Sequence, residues 1–336
     1  MVVDGVGGAN MAPVPSLSEL SWSDDLAESA RIIEGLDPTR ASVATHFVPS
    51  GFDAYARVLH PVEDDDGRVV RWREVAAWSG LRLHPYARFH SIALPPEPVD
   101  APPPWAGEGP RCGDLFPSDA ARLIDHLRRS TGTPESCWFC LWEGYGWYDD
   151  VIPRAVKAGP RVRLPQRDCY LYRGPLEAAL IGNPGEPANH SPCLWWPDDH
   201  AWCVASDVDL SWTYVGGTDA LIKALVTDPT LEVLEAAPQV PVAPLGGDPW
   251  IERWVSDAVE RLSRQEEAII STPAGTVVAW IDPPHSPRHA WLRTHHQSTW
   301  GGRGSSGHLI NVSNDERMRD QLRFYVQWAI VGLVGD

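Results

Sequence analysis

Two proline-rich stretches limit what this chain can form more than any other feature. Pro95, Pro96, Pro98, Pro102, Pro103, Pro104 and Pro110 crowd the segment after Leu94, and a second run extends from Pro238 to Pro249. Each proline fixes φ and removes a backbone donor, so neither a helix interior nor a central strand can cross either stretch. The first predicts a long loop at 94–110. No basic residue flanks a PxxP core there, which favours a stiff surface connection over a polyproline ligand. The second, with Gly246 and Gly247, predicts a linker at 238–249.

The linker also divides the charge. The chain carries 45 acidic against 28 basic residues, a net charge of -17. Residues 238–336 hold 11 acids and 9 bases, and residues 1–237 hold 34 and 19. The acidity therefore belongs almost wholly to the first part, a balance that argues against direct nucleic-acid binding and favours a basic partner. No apolar run approaches the roughly 20 residues of a membrane helix. The opening Met1-Val-Val-Asp-Gly lacks a basic n-region, so a cytoplasmic location is expected. Six cysteines are too few for a disulfide scaffold and are expected to be reduced and mostly buried.

Periodicity predicts a flexible tail at 1–20, then a helix over 23–34 and a hairpin of strands 42–48 and 52–59 around Pro49-Ser-Gly51. Helices follow near Trp72 and from Pro117, then strands at 137–142, 161–164, 168–172, 194–197, 201–206 and 211–215 and a helix over 218–227. After the linker come a helix over 250–263, two or three strands, a Gly-rich turn, a strand at 309–312 and a closing helix. Strands and helices mingle without βαβ alternation. The expected class is α+β: mixed, mainly antiparallel sheets with packed helices and a Trp-rich core, in an acidic domain at 21–237 and a smaller α+β domain at 250–336.

Most motifs fail on context. Cys137-Trp-Phe-Cys140 has CxxC spacing, but on a strand its two sulfurs point to opposite faces, and no second ligand pair follows. The nearby Pro134 precedes the first Cys at the wrong distance for a zinc deaminase. Gly302-Arg-Gly-Ser-Ser-Gly307 matches GxGxxG literally, yet no strand-then-helix context surrounds it, so it reads as a flexible turn. His285, His289, His295, His296 and His308 match no helical metal motif, and no catalytic residue, metal ligand or cofactor is assigned.

The aromatic series remains. Of the chain's 17 tryptophans, several fall among acids between Cys137 and Tyr214. Exposed indoles with an acidic rim would suit a cationic protein surface. The candidate binding residues are Trp142, Glu143, Tyr145, Trp147, Trp195, Trp196, Asp198, Asp199, Trp202, Asp207, Asp209 and Trp212.

Phe47-Val-Pro-Ser-Gly-Phe-Asp-Ala-Tyr-Ala-Arg-Val-Leu-His-Pro61, Cys137-Trp-Phe-Cys-Leu-Trp-Glu-Gly-Tyr-Gly146 and the stretch from Leu194-Trp-Trp-Pro-Asp-Asp-His200 through Tyr214-Val-Gly-Gly217 resemble an uncharacterised Trp-rich family of actinobacterial proteins, over residues 40–236. The resemblance implies no activity. The expected function is non-enzymatic binding of a basic protein, for instance as a stoichiometric, immunity-like inhibitor. The alternative is a metal-dependent or general acid/base hydrolase using Asp198, His200, Asp207 or Asp209 with a C-terminal histidine.

Overall fold

The computed structural model describes residues 20–39, 43–145, 152–180, 191–239, 249–272, 275–283, 286, 289–298 and 303–331. The expected tail, apart from Leu20, and most of the 238–249 linker lie outside these residues, as do Trp147 and His285.

The part before Pro238 is built on one large sheet. Its strands are β1 (Ser21–Trp22), β2 (Ala54–Leu59), β5 (Cys137–Trp142), β6 (Val162–Arg163), β7 (Asp168–Gly174), β8 (Leu194–Pro197), β9 (Cys203–Ser206), β10 (Trp212–Gly217) and β11 (Val233–Glu235), while β3 (Val62–Glu63) and β4 (Val69–Val70) form a separate ribbon. The order is β1-β7-β5-β8-β9-β10-β2-β11, with β6 beside β7. All of these pairings are antiparallel. The helices are α1 (Ala27–Glu34), α2 (Trp72–Ser79), α3 (His90–Ala93), α4 (Pro117–Arg128), α5 (Arg154–Lys157) and α6 (Asp219–Val226).

Both faces of this sheet are covered. Cys140, Leu171, Trp196 and Tyr214 pack with Trp72, Val75, Phe89 and Ile92 of the α2–α3 region on one side. Cys137, Phe139, Tyr172, Trp195 and Val204 pack with Leu123, Ile124 and Leu127 of α4 and Leu221, Ile222 and Leu225 of α6 on the other. A strand buried on both faces reads as an unbroken apolar run, which is why Cys137-Trp-Phe-Cys-Leu-Trp142 shows no alternation. The two cysteines of that run fall on opposite faces, as the strand period requires.

Local signals set the helix ends. Pro117 opens α4, the Thr218 hydroxyl accepts the Leu221 amide at the start of α6, and Gly80 at φ 69° closes α2 in the left-handed region. The proline-rich loop is held against the body by Trp105, whose ring meets Trp78 at 5.3 Å and Phe89 at 5.5 Å, and by the Trp78 indole N–H donating to the Ala101 carbonyl at 2.8 Å.

The expected 42–48 and 52–59 hairpin does not form. Ala44–His46 is a single 3-10 turn, and β2 pairs instead with β10 and β11. Tertiary contacts override the strand propensity of the first segment: Phe47 stacks on Tyr214 at 5.6 Å, and Asp37 donates its amide to the Thr45 carbonyl at 2.7 Å.

The C-terminal part has its own sheet, ordered β12 (Ala268–Thr272), β13 (Gly275–Ile281), β14 (His289–Ser298) and β15 (Arg303–Asn311), with α7 (Pro249–Ser263) and α8 (Asp315–Val331). Ala268, Ile270, Val277, Ala279, Ala290, Leu292 and Ile310 face Ile251, Val255 and Leu262 of α7 and Leu322, Val326 and Ile330 of α8. The GxGxxG segment is a correction to the sequence reading, because Arg303 to Gly307 is strand, paired with β14 residue by residue. At Gly307 an added Cβ would press on the Arg293 guanidinium, the far end of a flexible side chain.

A buried polar chain crosses the first core. The Ser206 hydroxyl pairs with Thr213 Oγ1 at 2.6 Å, Thr213 Oγ1 donates to His60 Nε2 at 3.0 Å, and His60 Nδ1 donates to the Arg111 carbonyl at 2.7 Å. Burial lowers His60 from 6.5 to about 4, and burial with the nearby Arg88 charge lowers His90 to about 3. Both rings fold neutral, whereas the unfolded chain takes up their protons below pH 6.5. Stability is thus full above that pH and falls as pH drops toward 4, by about 1.4 kcal/mol per unit for each ring. Thermal unfolding at pH 7 and pH 5 checks this: the midpoint should fall at pH 5, and should fall by less in a His60→Gln, His90→Gln chain, where His200, His296 and His308 remain as the histidines lowered by burial.

Candidate functional site

Five of the expected contact aromatics are core. Tyr145 is 7% exposed, Trp195 3%, Trp196 0%, Trp202 0% and Trp212 3%. The expectation of an exposed indole face built on them is therefore corrected. Consecutive Trp195 and Trp196 serve opposite faces of a sheet that has no solvent side, so both are packed. Trp195 meets Trp202 edge-on at 5.5 Å, and the Trp202 indole donates to the Leu127 carbonyl at 3.1 Å. Trp142 is half-buried beneath the Arg167 guanidinium, 5.1 Å from its ring, and exposed Glu143 pairs with Arg161 at 2.9 Å.

The acids of the series are tied down by this chain's own groups. Asp198 accepts the Ser136 hydroxyl at 2.7 Å and the Trp138 indole at 2.6 Å, and pairs with Arg173. Burial alone would raise its carboxyl; these hydrogen bonds outweigh that and hold it below the usual carboxylate range. Asp199 accepts the Gly132 amide at 2.7 Å and the Thr131 hydroxyl, closing a turn. Asp207 and Asp209 share one guanidinium, Arg167, at 3.1 and 2.5 Å. Asp207 and Asp209, candidates in the hydrolase alternative, are thus held in an ion-pair clamp. His200, at φ 53°, sits in the turn before Trp202, and the described residues contain no group of three metal-ligating side chains.

Beside this clamp lies a cavity of about 20 Å³ lined by His46, Phe47, Arg167, Cys193, Ala205 and Asp207. His46 Nδ1 donates to the Asp37 carbonyl at 2.8 Å, which leaves Nε2 as the bare acceptor, buried and without a partner among the described residues. The volume suits about one water molecule and excludes an organic substrate.

The exposed aromatic surface lies elsewhere. Among the described residues, the exposed large apolar side chains Ile269 (60%), Trp280 (37%), Leu309 (45%), Phe324 (56%) and Trp328 (44%) all belong to the C-terminal part, leaving only Tyr86 outside it. Strand register assembles most of them on one sheet face. Ile269 is opposite Val278 and Val278 opposite His295, Trp280 is opposite Arg293, and Trp291 is opposite Leu309. Cross-strand pairs this close act as one surface. Asp282 organises it, accepting the Trp280 indole at 3.1 Å and Arg293 Nε at 2.9 Å, while Arg293 lies 5.1 Å over the Trp291 ring.

Sequence reasoning passed over this face. The available signal was apolar residues on both parities of β13: Val277 and Ala279 inward, Val278 and Trp280 outward. On α8, Phe324 and Trp328 stand one turn apart outside the Leu322, Val326 and Ile330 stripe.

Fold and surface define an α+β protein with a Trp-packed antiparallel core and an apolar outer sheet face on its C-terminal part. No family model, curated protein or solved structure matches the chain. No helix among the described residues is long and apolar enough to cross a membrane.

Proposed function

We propose that this chain is a non-enzymatic binding protein that holds a protein partner on the outer face of the C-terminal sheet. The supporting observation is the clustering of Ile269, Trp280 and Leu309, with Trp291 and Arg293 between them, on a face that no helix covers among the described residues. Large exposed apolar groups gathered on one face mark interaction sites, and Trp and Arg are the residues enriched at interface hot spots. The acidic balance of residues 1–237 adds long-range attraction for a basic partner, and the near-neutral C-terminal face adds contact without repelling it. A stoichiometric, immunity-like inhibitor of a basic protein is the specific form of this reading.

Affinity capture from the native cell with the intact chain and with a Trp280→Ser, Leu309→Ser chain tests it. Loss of two central anchors should weaken capture by about 30-fold or more, the equivalent of roughly 2 kcal/mol. Equal recovery of the same partner by both chains would remove the outer face from the interaction.

A further inference from the structure

The free edge of the same sheet carries a separate feature. β15 is the last strand in the order, and among the described residues only β14 pairs with it. The direction of its backbone groups follows from its neighbours. The Trp291 carbonyl accepts the Asp282 amide at 2.8 Å, so odd-numbered residues of β14 turn their polar groups toward the β13 side. Even-numbered Ala290, Leu292 and Thr294 then serve β15, through Ile310, His308 and Ser306. Ser305, Gly307 and Leu309 consequently direct N–H and C=O outward. Asn311, of the same parity, confirms the direction: its amide donates to the Gln321 side chain at 2.8 Å.

Natural edge strands are blunted by proline, lysine, bulges or shortness. β15 is nine residues long, contains neither Pro nor Lys, runs in unbroken register and carries Arg303 as its single charge. Against its inner side, His308 stacks on Tyr325 at 3.9 Å and meets Trp328 edge-on at 5.6 Å. Phe324 and Trp328 remain exposed on the same helix.

We propose that two copies of this chain join by antiparallel pairing of β15 with β15 across a two-fold axis at Gly307, forming one continuous eight-stranded sheet. Three observations select a second copy as the occupant. A two-fold normal to the sheet sets both α8 helices on one side, where Phe324 and Trp328 of the two copies can meet, whereas a lone foreign strand would leave them exposed. Antiparallel overlap centred on Gly307 places Arg303 opposite Asn311 of the second copy, next to the Asp315 and Glu316 that begin its α8, so the charges are complementary. The pairing also brings together the near-neutral parts of two chains whose remaining residues are strongly acidic. The dimer does not depend on the outer-face reading, although it would set two such faces side by side.

Sedimentation equilibrium of the full chain at micromolar concentration should give twice 37.1 kDa. Ser305→Pro removes an outward N–H that the β14 ladder does not use, and should halve the mass while the far-UV circular dichroism is unchanged. A Phe324→Glu, Trp328→Glu chain should also be monomeric, and decides the matter if the proline variant does not fold. Trp280→Ser, on β13 and two strands from the seam, should keep the dimer while weakening partner capture, which separates failure of one reading from failure of the other. A wild-type mass of 37.1 kDa at every concentration, or a folded helix variant that still sediments at twice that mass, overturns the proposal.

Discussion

Replacing Trp196 by alanine should cost about 3–5 kcal/mol of folding stability, as expected for deletion of a fully enclosed indole. The side chain is 0% exposed, and β8 sets it opposite Trp138 of β5. The cavity would open between the sheet and the α2–α3 layer, where Trp72 and Phe89 are themselves locked edge-on at 5.5 Å. Urea unfolding checks this through a lower midpoint at an unchanged slope. A loss below about 0.5 kcal/mol, the range of surface substitutions, would restore Trp196 to the surface role that its sequence context suggests.

A second large effect is expected at Arg71. Its guanidinium grips Asp119 through two bonds at 2.5 and 2.8 Å and reaches the Thr230 carbonyl at 3.0 Å, joining the start of α2, on one side of the sheet, to the first turn of α4, on the other. Asp119 is only 2% exposed. Arg71→Met would leave that carboxylate enclosed without its cation, at a cost of about 3–5 kcal/mol. The double variant Arg71→Met, Asp119→Leu removes both charges and should recover most of the loss. Stability measurements on the two single variants and the double one form a complete cycle. If the double variant is no more stable than Arg71→Met, the cost lies in lost packing and not in a stranded charge.

These two residues illustrate what could be read without coordinates. The helices of residues 72–79 and 117–128 follow from apolar spacing and end signals, and the strand at 137–142 follows from an apolar run between breakers. Arg71 offers no such signal, because its partner stands 48 positions away. The 42–48 segment shows the opposite failure. Its composition suits a strand, but contacts to Asp37 and Tyr214 fold it as a turn. The glycines at 304 and 307 suggested a turn, yet the ladder to β14 holds them extended.

By itself the sequence determined the α+β class, the main helices and strands, the proline-rich breaks and the uneven charge, because these depend on residues close together along the chain. The tertiary structure alone decided which aromatic side chains are available. A run such as Leu194-Trp-Trp-Pro197 has the same local pattern whether one face of its sheet or both are covered, and the coverage comes from α4, α6 and the α2–α3 region, each remote in sequence. Two covering layers took Trp195, Trp196, Trp202 and Trp212 into the core. The C-terminal sheet, with helices on one face only among the described residues, left Ile269, Trp280 and Leu309 outside.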